Sequence, residues 1–247
     1  MRSLKLGILA AAGLVWASSA AAQGTIDRPW SAEASIGWDN GVSGNVVSSA
    51  IGTFQGYPAV IKSRSYDEIY GTGIRLSFGA AYALRERHEV TGTFEYSTVS
   101  SDLVELGELA GATLWGTFDD YSVWGIDVGY RYYFLPPVRA PKFTPYVGGS
   151  IGVNVINEIG ASLAAPDIGV TGTATDLYDR SGAVTFGASA GSLYSLNEKV
   201  SLNVQLGLRY VGGLAAPDNL VGTGLENINT DSGRWIVPFT VGVRFRF

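Results

Sequence analysis

From residue 30 onward the sequence repeats with a period of two, and its two faces differ in size as well as polarity. In residues 74–84 (IRLSFGAAYAL), Ile74, Leu76, Phe78, Tyr82 and Leu84 fall on one face, and Arg75, Ser77, Gly79 and Ala81 on the other. Residues 200–210 and 239–247 repeat the pattern, and weaker copies occupy 30–39, 90–97, 124–134, 145–155 and 184–196. A period of two is that of a β-strand, whose side chains alternate across the sheet. The polar face is crowded with glycine: Gly79, Gly129, Gly152, Gly187, Gly207 and Gly242. A soluble sandwich or cup hides its apolar face and exposes long polar side chains to water. A narrow eight-stranded barrel in a membrane does the reverse, with small residues filling a tight interior and bulky ones meeting lipid.

The connections sharpen this reading. Those at 85–89, 135–144 and 197–199 are short, whereas those at 40–69, 98–120, 157–180 and 212–233 are long. Short turns on one rim and long loops on the other are the layout of an outer-membrane barrel. Aromatic residues gather near both strand ends: Trp30, Tyr82, Tyr132, Phe134, Tyr194, Phe245 and Phe247 toward the short turns, and Trp38, Tyr70, Tyr96, Trp124, Tyr210 and Trp235 toward the long loops. Such bands mark membrane interfaces. Pro238, which has no N–H for a ladder, is expected at the loop-side end of the last strand. The fold class is therefore all-β, an eight-stranded antiparallel up-and-down transmembrane β-barrel, with both ends of the barrel domain on one rim.

Charge follows the same polarity. The long connections and their edges collect acids, Asp39, Asp67, Glu68, Asp102, Glu105, Glu108, Asp119 and Asp120 among them, against Lys62, Arg64, Arg180 and Arg234. The short turns carry Arg85, Arg87, Arg139, Lys142 and Lys199. An acidic crown admits divalent cations or cationic partners, but also serves simply as a solvated surface. The motif LAAPD at 163–167 recurs at 214–218. It reads as shared loop composition more readily than as a duplicated hairpin.

Composition excludes several functions. With no Cys, disulfide scaffolds, thiolate metal sites and cysteine nucleophiles are absent. A sequence pI near 4.9 argues against a nucleic-acid partner. Residues 1–22 read as a signal peptide: Arg2 and Lys5 precede the apolar LGILAAAGLVWA, and the small-residue run ending at Ala22 precedes Gln23. Removing them takes the formal charge from −5 to −7 and leaves 23–247 as the barrel domain.

Polar-face charges are the candidate site residues. Glu33, Glu95 and Asp127 stand against Arg75, Arg131, Arg209 and Arg244. In a narrow lumen they must pair, forming either a plug or the lining of a small-solute pore, and scarce interior space favours the plug. No catalytic, cofactor-binding or metal-ligating residues are identified. His88, the sole histidine, falls in a short turn, Asp119-Asp120 has no evident cleft, and no glycine-rich loop leads into Lys-Ser or Lys-Thr.

Residues 241–247 (VGVRFRF) resemble the C-terminal strand of Gram-negative outer-membrane barrels, which finish on an aromatic residue read by insertion machinery; Val243, Phe245 and Phe247 carry that likeness. Residues 129–134 (GYRYYF) and 145–153 (PYVGGSIGV) resemble strands of the small OmpA-like and opacity-type barrel family. The resemblance covers most of the chain beyond the leader, on short motifs. It implies a monomeric or weakly associating barrel in the cell outer membrane, delivered by barrel-insertion machinery and surrounded by outer-membrane lipid and lipopolysaccharide. Its loops would be open to an extracellular partner. Unlike the longer OmpA-type proteins, a barrel ending its resemblance at Phe247 is expected to carry no peptidoglycan tether. The expected role is surface interaction, adhesion or envelope integrity, without enzymatic activity or cofactor. A narrow porin-like channel is the alternative, and a lipid-modifying enzyme the third.

Overall fold

The computed structural model describes residues 28–137, 142–217, 222, 224–229 and 233–247. The leader assigned to 1–22, together with Arg139 in a short turn, lies outside them. In chain order, β1 (Trp30–Gly41) leads into β2 (Asn45–Val47), β3 (Ala50–Phe54), β4 (Tyr57–Ile61), β5 (Arg64–Ser65) and the one-turn helix α1 (Tyr66–Ile69). Then follow β6 (Gly73–Arg85), β7 (His88–Val99), β8 (Val104–Leu109), β9 (Ala112–Phe118), β10 (Tyr121–Tyr133) and β11 (Phe143–Ile156). The chain finishes with β12 (Ile159–Ala165), a 3-10 turn at Pro166–Ile168, β13 (Val170–Tyr178), β14 (Ser181–Ser195), β15 (Val200–Val211) and β16 (Arg234–Arg246).

Eight of these strands close into a barrel in the order β1-β16-β15-β14-β11-β10-β7-β6, with β1 pairing β6 to complete the ring. Every neighbour is antiparallel, and β1 holds both sides: Ala34 lies opposite Phe78 of β6 and Val243 of β16. The register keeps the small polar set inside. Phe78, Ile126, Ile151 and Val184 are 59, 59, 61 and 58% exposed, whereas Arg75, Glu95, Asp127 and Arg209 are 5–7% exposed. Glycine makes room for the interior. A Cβ on Gly152 would lie 1.9 Å from Asp127 Oδ1 and 2.3 Å from the Ile126 carbonyl oxygen, so the Asp127 carboxylate occupies space that only glycine leaves.

The long connections are not open loops. Strands β13-β12-β9-β8-β4-β3 form a second, six-stranded sheet above one rim of the barrel. Two of its hairpins turn on two residues with positive φ, Gln55-Gly56 and Ala110-Gly111, the torsions that match the twist of paired strands. The inner face of the sheet supplies Ala59, Ile61, Leu109, Leu114, Ile159 and Leu163 to a core that also takes in Ile69, Tyr70, Leu177 and Leu225. This core continues into the barrel mouth through Tyr121, Val123, Ala183 and Val211. The fourth connection packs on two of the others: Ile228 O accepts from the Ser48 N–H (2.8 Å), and Asn229 Nδ2 donates to Leu177 O (3.1 Å). The apolar stretches of these connections thus fold into a cap with its own interior.

Two further expectations need correction. Tyr70 belongs to the cap core and not to the interfacial band, because α1 turns its ring inward against Tyr66 and Tyr121. Pro238 lies within β16, four residues inside its loop-side end, and not at the rim. The β15–β16 ladder is interrupted there, between the pairs Leu206–Phe239 and Arg209–Ile236, as a residue without an N–H requires.

A core of this kind makes the cap separable from the barrel in stability. Leu114→Ala, at a fully buried cap position, should cost about 2–5 kcal/mol of cap stability. Hydrogen exchange should then speed up in β8, β9 and β12 while β10, β11 and β14 stay protected.

Candidate functional site

The lumen contains two layers of ion pairs. On the loop side Arg75 forks onto Asp39, with Nε to Oδ1 and Nη2 to Oδ2 both at 2.7 Å, and its Nη1 donates to Glu95. Arg209 bridges Glu95 and Asp127, the latter at 2.9 Å. Neutral partners complete the layer: Ser97 Oγ donates to Asp39 at 2.8 Å, Thr185 Oγ1 to Asp127 at 3.1 Å, and Arg209 reaches Asn154 Oδ1 at 3.2 Å. On the short-turn side Arg131 pairs with Glu33 at 2.6 Å and Glu89 at 3.4 Å, while Arg244 grips Glu89 and lies 3.5 Å from Glu33. The Tyr133 hydroxyl donates to Glu89 at 2.8 Å and accepts from Arg244 at 2.7 Å. Between the layers lies a cavity of about 120 Å³, its wall including small residues such as Gly79, Gly129, Gly148, Ser77 and Ser150, with both sets of charges at its ends. At about 10–15 Å³ per water this chamber has room for several.

All seven charged residues expected in the lumen face inward, and the structure sorts them: Arg75, Glu95, Asp127 and Arg209 in one layer, Glu33, Arg131 and Arg244 in the other. Sequence reasoning missed Asp39 and Glu89, which it assigned to a loop edge and a turn. The signal was available in strand parity. Asp39 shares a face with Glu33, and Glu89 with Glu95. It also missed Tyr133 and Tyr146, both buried in the lumen, where Tyr146 lies 5.1 Å from the Arg131 guanidinium carbon and hydrogen-bonds Asn203 and Gln205.

Above the upper layer, Arg234 is stacked between Tyr66 and Tyr121, its guanidinium carbon 4.4 and 4.2 Å from their ring centres. It donates to the Tyr66 hydroxyl at 3.0 Å. The planar cation lies over aromatic faces at the mouth, a favourable arrangement for a buried guanidinium. The short helix that presents Tyr66 is fixed by a capping box, in which the Ser65 N–H donates to Glu68 at 2.7 Å and holds that carboxyl below its usual range. Burial pushes the Tyr70 phenol up and keeps it neutral, donating to the Asp119 carbonyl at 3.0 Å.

Elsewhere the candidates disperse. Val243, Phe245 and Phe247 point outward on the apolar surface. His88 lies at the short-turn rim, its Nδ1 against the Tyr130 hydroxyl. Asp119, Asp120, Asn157, Glu158 and Arg180 line an open depression on the cap side. The apolar belt includes Trp30, Tyr82 and Phe247 near one rim and Trp38 and Trp124 near the other, all exposed. A closed ring of strands leaves no open edge, and its outside is greasy while its inside is ionic. That is a transmembrane β-barrel, and its place is the outer membrane. No helix of the described residues is long and apolar enough to cross a membrane.

No protein-family model and no curated sequence matches the chain. Solved structures similar to it include Neisserial surface protein A, at 13% identity over 89% of this chain and 97% of that one, with a TM-score of 0.48. The outer membrane protein OprG from Pseudomonas aeruginosa is similar at 12% identity over 88% and 95%, with a TM-score of 0.48. AlkL, solved by solid-state NMR in lipid bilayers, is similar at 13% identity over 93% and 96%, with a TM-score of 0.40. At this identity and overlap they say nothing of what the present chain binds.

Buried charges that lose a partner are costly because the remaining ion has no water to turn to. Glu89→Gln should destabilise the barrel by about 3–5 kcal/mol by stripping Arg244 of its main counter-charge. Pairing it with Arg244→Met should recover part of that loss. Urea unfolding in lipid vesicles, run as a double-mutant cycle, measures both.

Proposed function

We propose that this chain is a non-conducting outer-membrane barrel that presents a folded β-cap at the cell surface, for surface interaction and for stiffening the envelope. The observation that carries this reading is the triple obstruction of the lumen: two ion-pair layers, then the Arg234 stack continuous with the cap core. A structure that fills its axis with charge pairs and covers its mouth with apolar side chains is built for rigidity and display. The display surface is acidic. Asp67, Asp102, Glu108, Asp119, Asp120 and Glu158 are exposed on the cap side, which suits a cationic or polyhydroxylated extracellular partner. The lumen charges act as a structural plug, and no catalytic step is assigned to them.

The same reading assigns residues 1–22 to a cleaved leader and 23–247 to the barrel domain. It takes Val243, Phe245 and Phe247, alternating on the outer face, as the surface that insertion machinery reads. Lipopolysaccharide would surround the loop-side half of a monomer. A small-solute conduit is the second reading, favoured by the chamber between the two charge layers. It requires both layers and the cap to part.

Two measurements test the proposal. In planar bilayers the purified chain should give no steady conductance. Arg75→Ala should leave it closed, because the lower layer and the cap remain; stable openings in either protein would establish the conduit instead. An epitope inserted between Gln55 and Gly56, at the β3–β4 turn, should be reached by antibody on intact cells, whereas one inserted between Glu86 and Arg87 should be reached only after lysis.

A further inference from the structure

The short-turn rim of the barrel carries a ring of cations. Each place where the chain turns on this side contributes: Arg85 and Arg87 between β6 and β7, Lys142 before β11, Lys199 before β15, and Arg246 with Arg28 where β16 meets β1. Among the described residues none of these six forms an ion pair, although the lumen arginines a few residues away are all paired with carboxylates. Arg85, Arg87, Lys142 and Lys199 are exposed. The Arg246 N–H bonds to Lys199 O at 2.8 Å, which sets two cationic residues side by side, and Arg246 Nη1 finds only the Pro137 carbonyl, at 3.5 Å. The acids exposed in these turns are Glu86 and Glu198, so the rim is strongly positive while the cap at the other end is negative.

The position of this ring matters as much as its sign. It lies directly beyond the aromatic belt at the same end: Trp30 packs on Tyr82 with ring centres 4.8 Å apart, Tyr132 on Phe134 at 5.8 Å and Phe245 on Phe247 at 6.3 Å. Tyrosine and tryptophan settle at the headgroup level of a bilayer, which places the adjoining cations among lipid phosphates. Long cationic side chains at a membrane edge reach outward to the interface. From the ring, the absence of ion pairs at its six bases among the described residues and its depth, we infer that the short-turn rim is a binding collar for the phosphate groups of anionic phospholipids in the periplasmic leaflet. This rests on the membrane assignment and is independent of whether the cap is an interaction surface. It gives the barrel a preferred lipid shell on one face.

The test uses the full chain in phosphatidylcholine vesicles with a trace of spin-labelled lipid. Labelled phosphatidylglycerol should be enriched over labelled phosphatidylcholine in the motion-restricted shell, by about threefold or more for a collar of several bases. Enrichment should vanish in about 1 M NaCl, where the screening length falls to about 3 Å. The exposed-base variant Arg85→Gln/Arg87→Gln/Lys142→Gln/Lys199→Gln should lose the preference while keeping heat-modifiable gel mobility. Lys62→Gln/Arg180→Gln, at the cap end, should retain it. Equal shells for the two lipids, or enrichment that survives the four-base variant, would overturn the collar. A chain that fails to float with the vesicles overturns instead the membrane assignment beneath it, a result distinct from a floating chain with no lipid preference.

Discussion

The structure depends on the cost of leaving a backbone amide unbonded in hydrocarbon. Each such group costs several kcal/mol, so strands that cross a bilayer must close on themselves. Closure with eight strands leaves a narrow axis, and that narrowness decides nearly everything inside. Glycine lines the wall because a Cβ would strike a neighbouring backbone or carboxylate, as at Gly152. The longer inward side chains are mainly arginines and acids that reach across the axis to one another, joined by Tyr133 and Tyr146. Ion pairs in such a place contribute little net stability, since desolvation offsets their attraction. Their effect is on register: sliding one strand by a residue would turn Arg75 or Glu95 into lipid.

Much of this was legible in the sequence, and the reason is period two. Strands β6 and β15, and β16 from Phe239 onward, alternate without a break, so their existence and orientation follow directly from neighbours such as Phe78 beside Ser77 and Leu206 beside Gln205. The cap was not legible. Its strands are 5–9 residues long, and the Gln55-Gly56 and Ala110-Gly111 turns lack the asparagine or aspartate that advertises a tight hairpin. Segments such as YPAVI of β4 gain their stability from tertiary burial, which has no local signature. Asp39 and Glu89 were lost for a different reason. Both obey strand parity, but they fall where a boundary drawn a residue or two short turns a lumen carboxylate into a surface one.

The cap also changes what the acidic end of the molecule is. Read as loops, the connections would be a flexible, variable fringe. As a six-stranded sheet over a core of Ile61, Leu109, Leu114 and Leu177, they are a small folded layer whose outward groups hold fixed positions. A partner meeting such a surface loses little to ordering it, so specificity is available at modest contact area. Arg234 links the two layers. It starts a barrel strand, yet its guanidinium belongs to the aromatic cluster that α1 and β10 build, so movement of the cap is felt at the mouth.

Pro238 adds an asymmetry to an otherwise continuous cylinder. The ladder between β15 and β16 is thinnest beside it, at Gly207 and Leu208, and a Cβ on Gly207 would come within 3.1 Å of the proline ring. Thermal breathing of the wall therefore has a preferred starting line, midway up one seam, where the backbone has least to give up before the cylinder unzips.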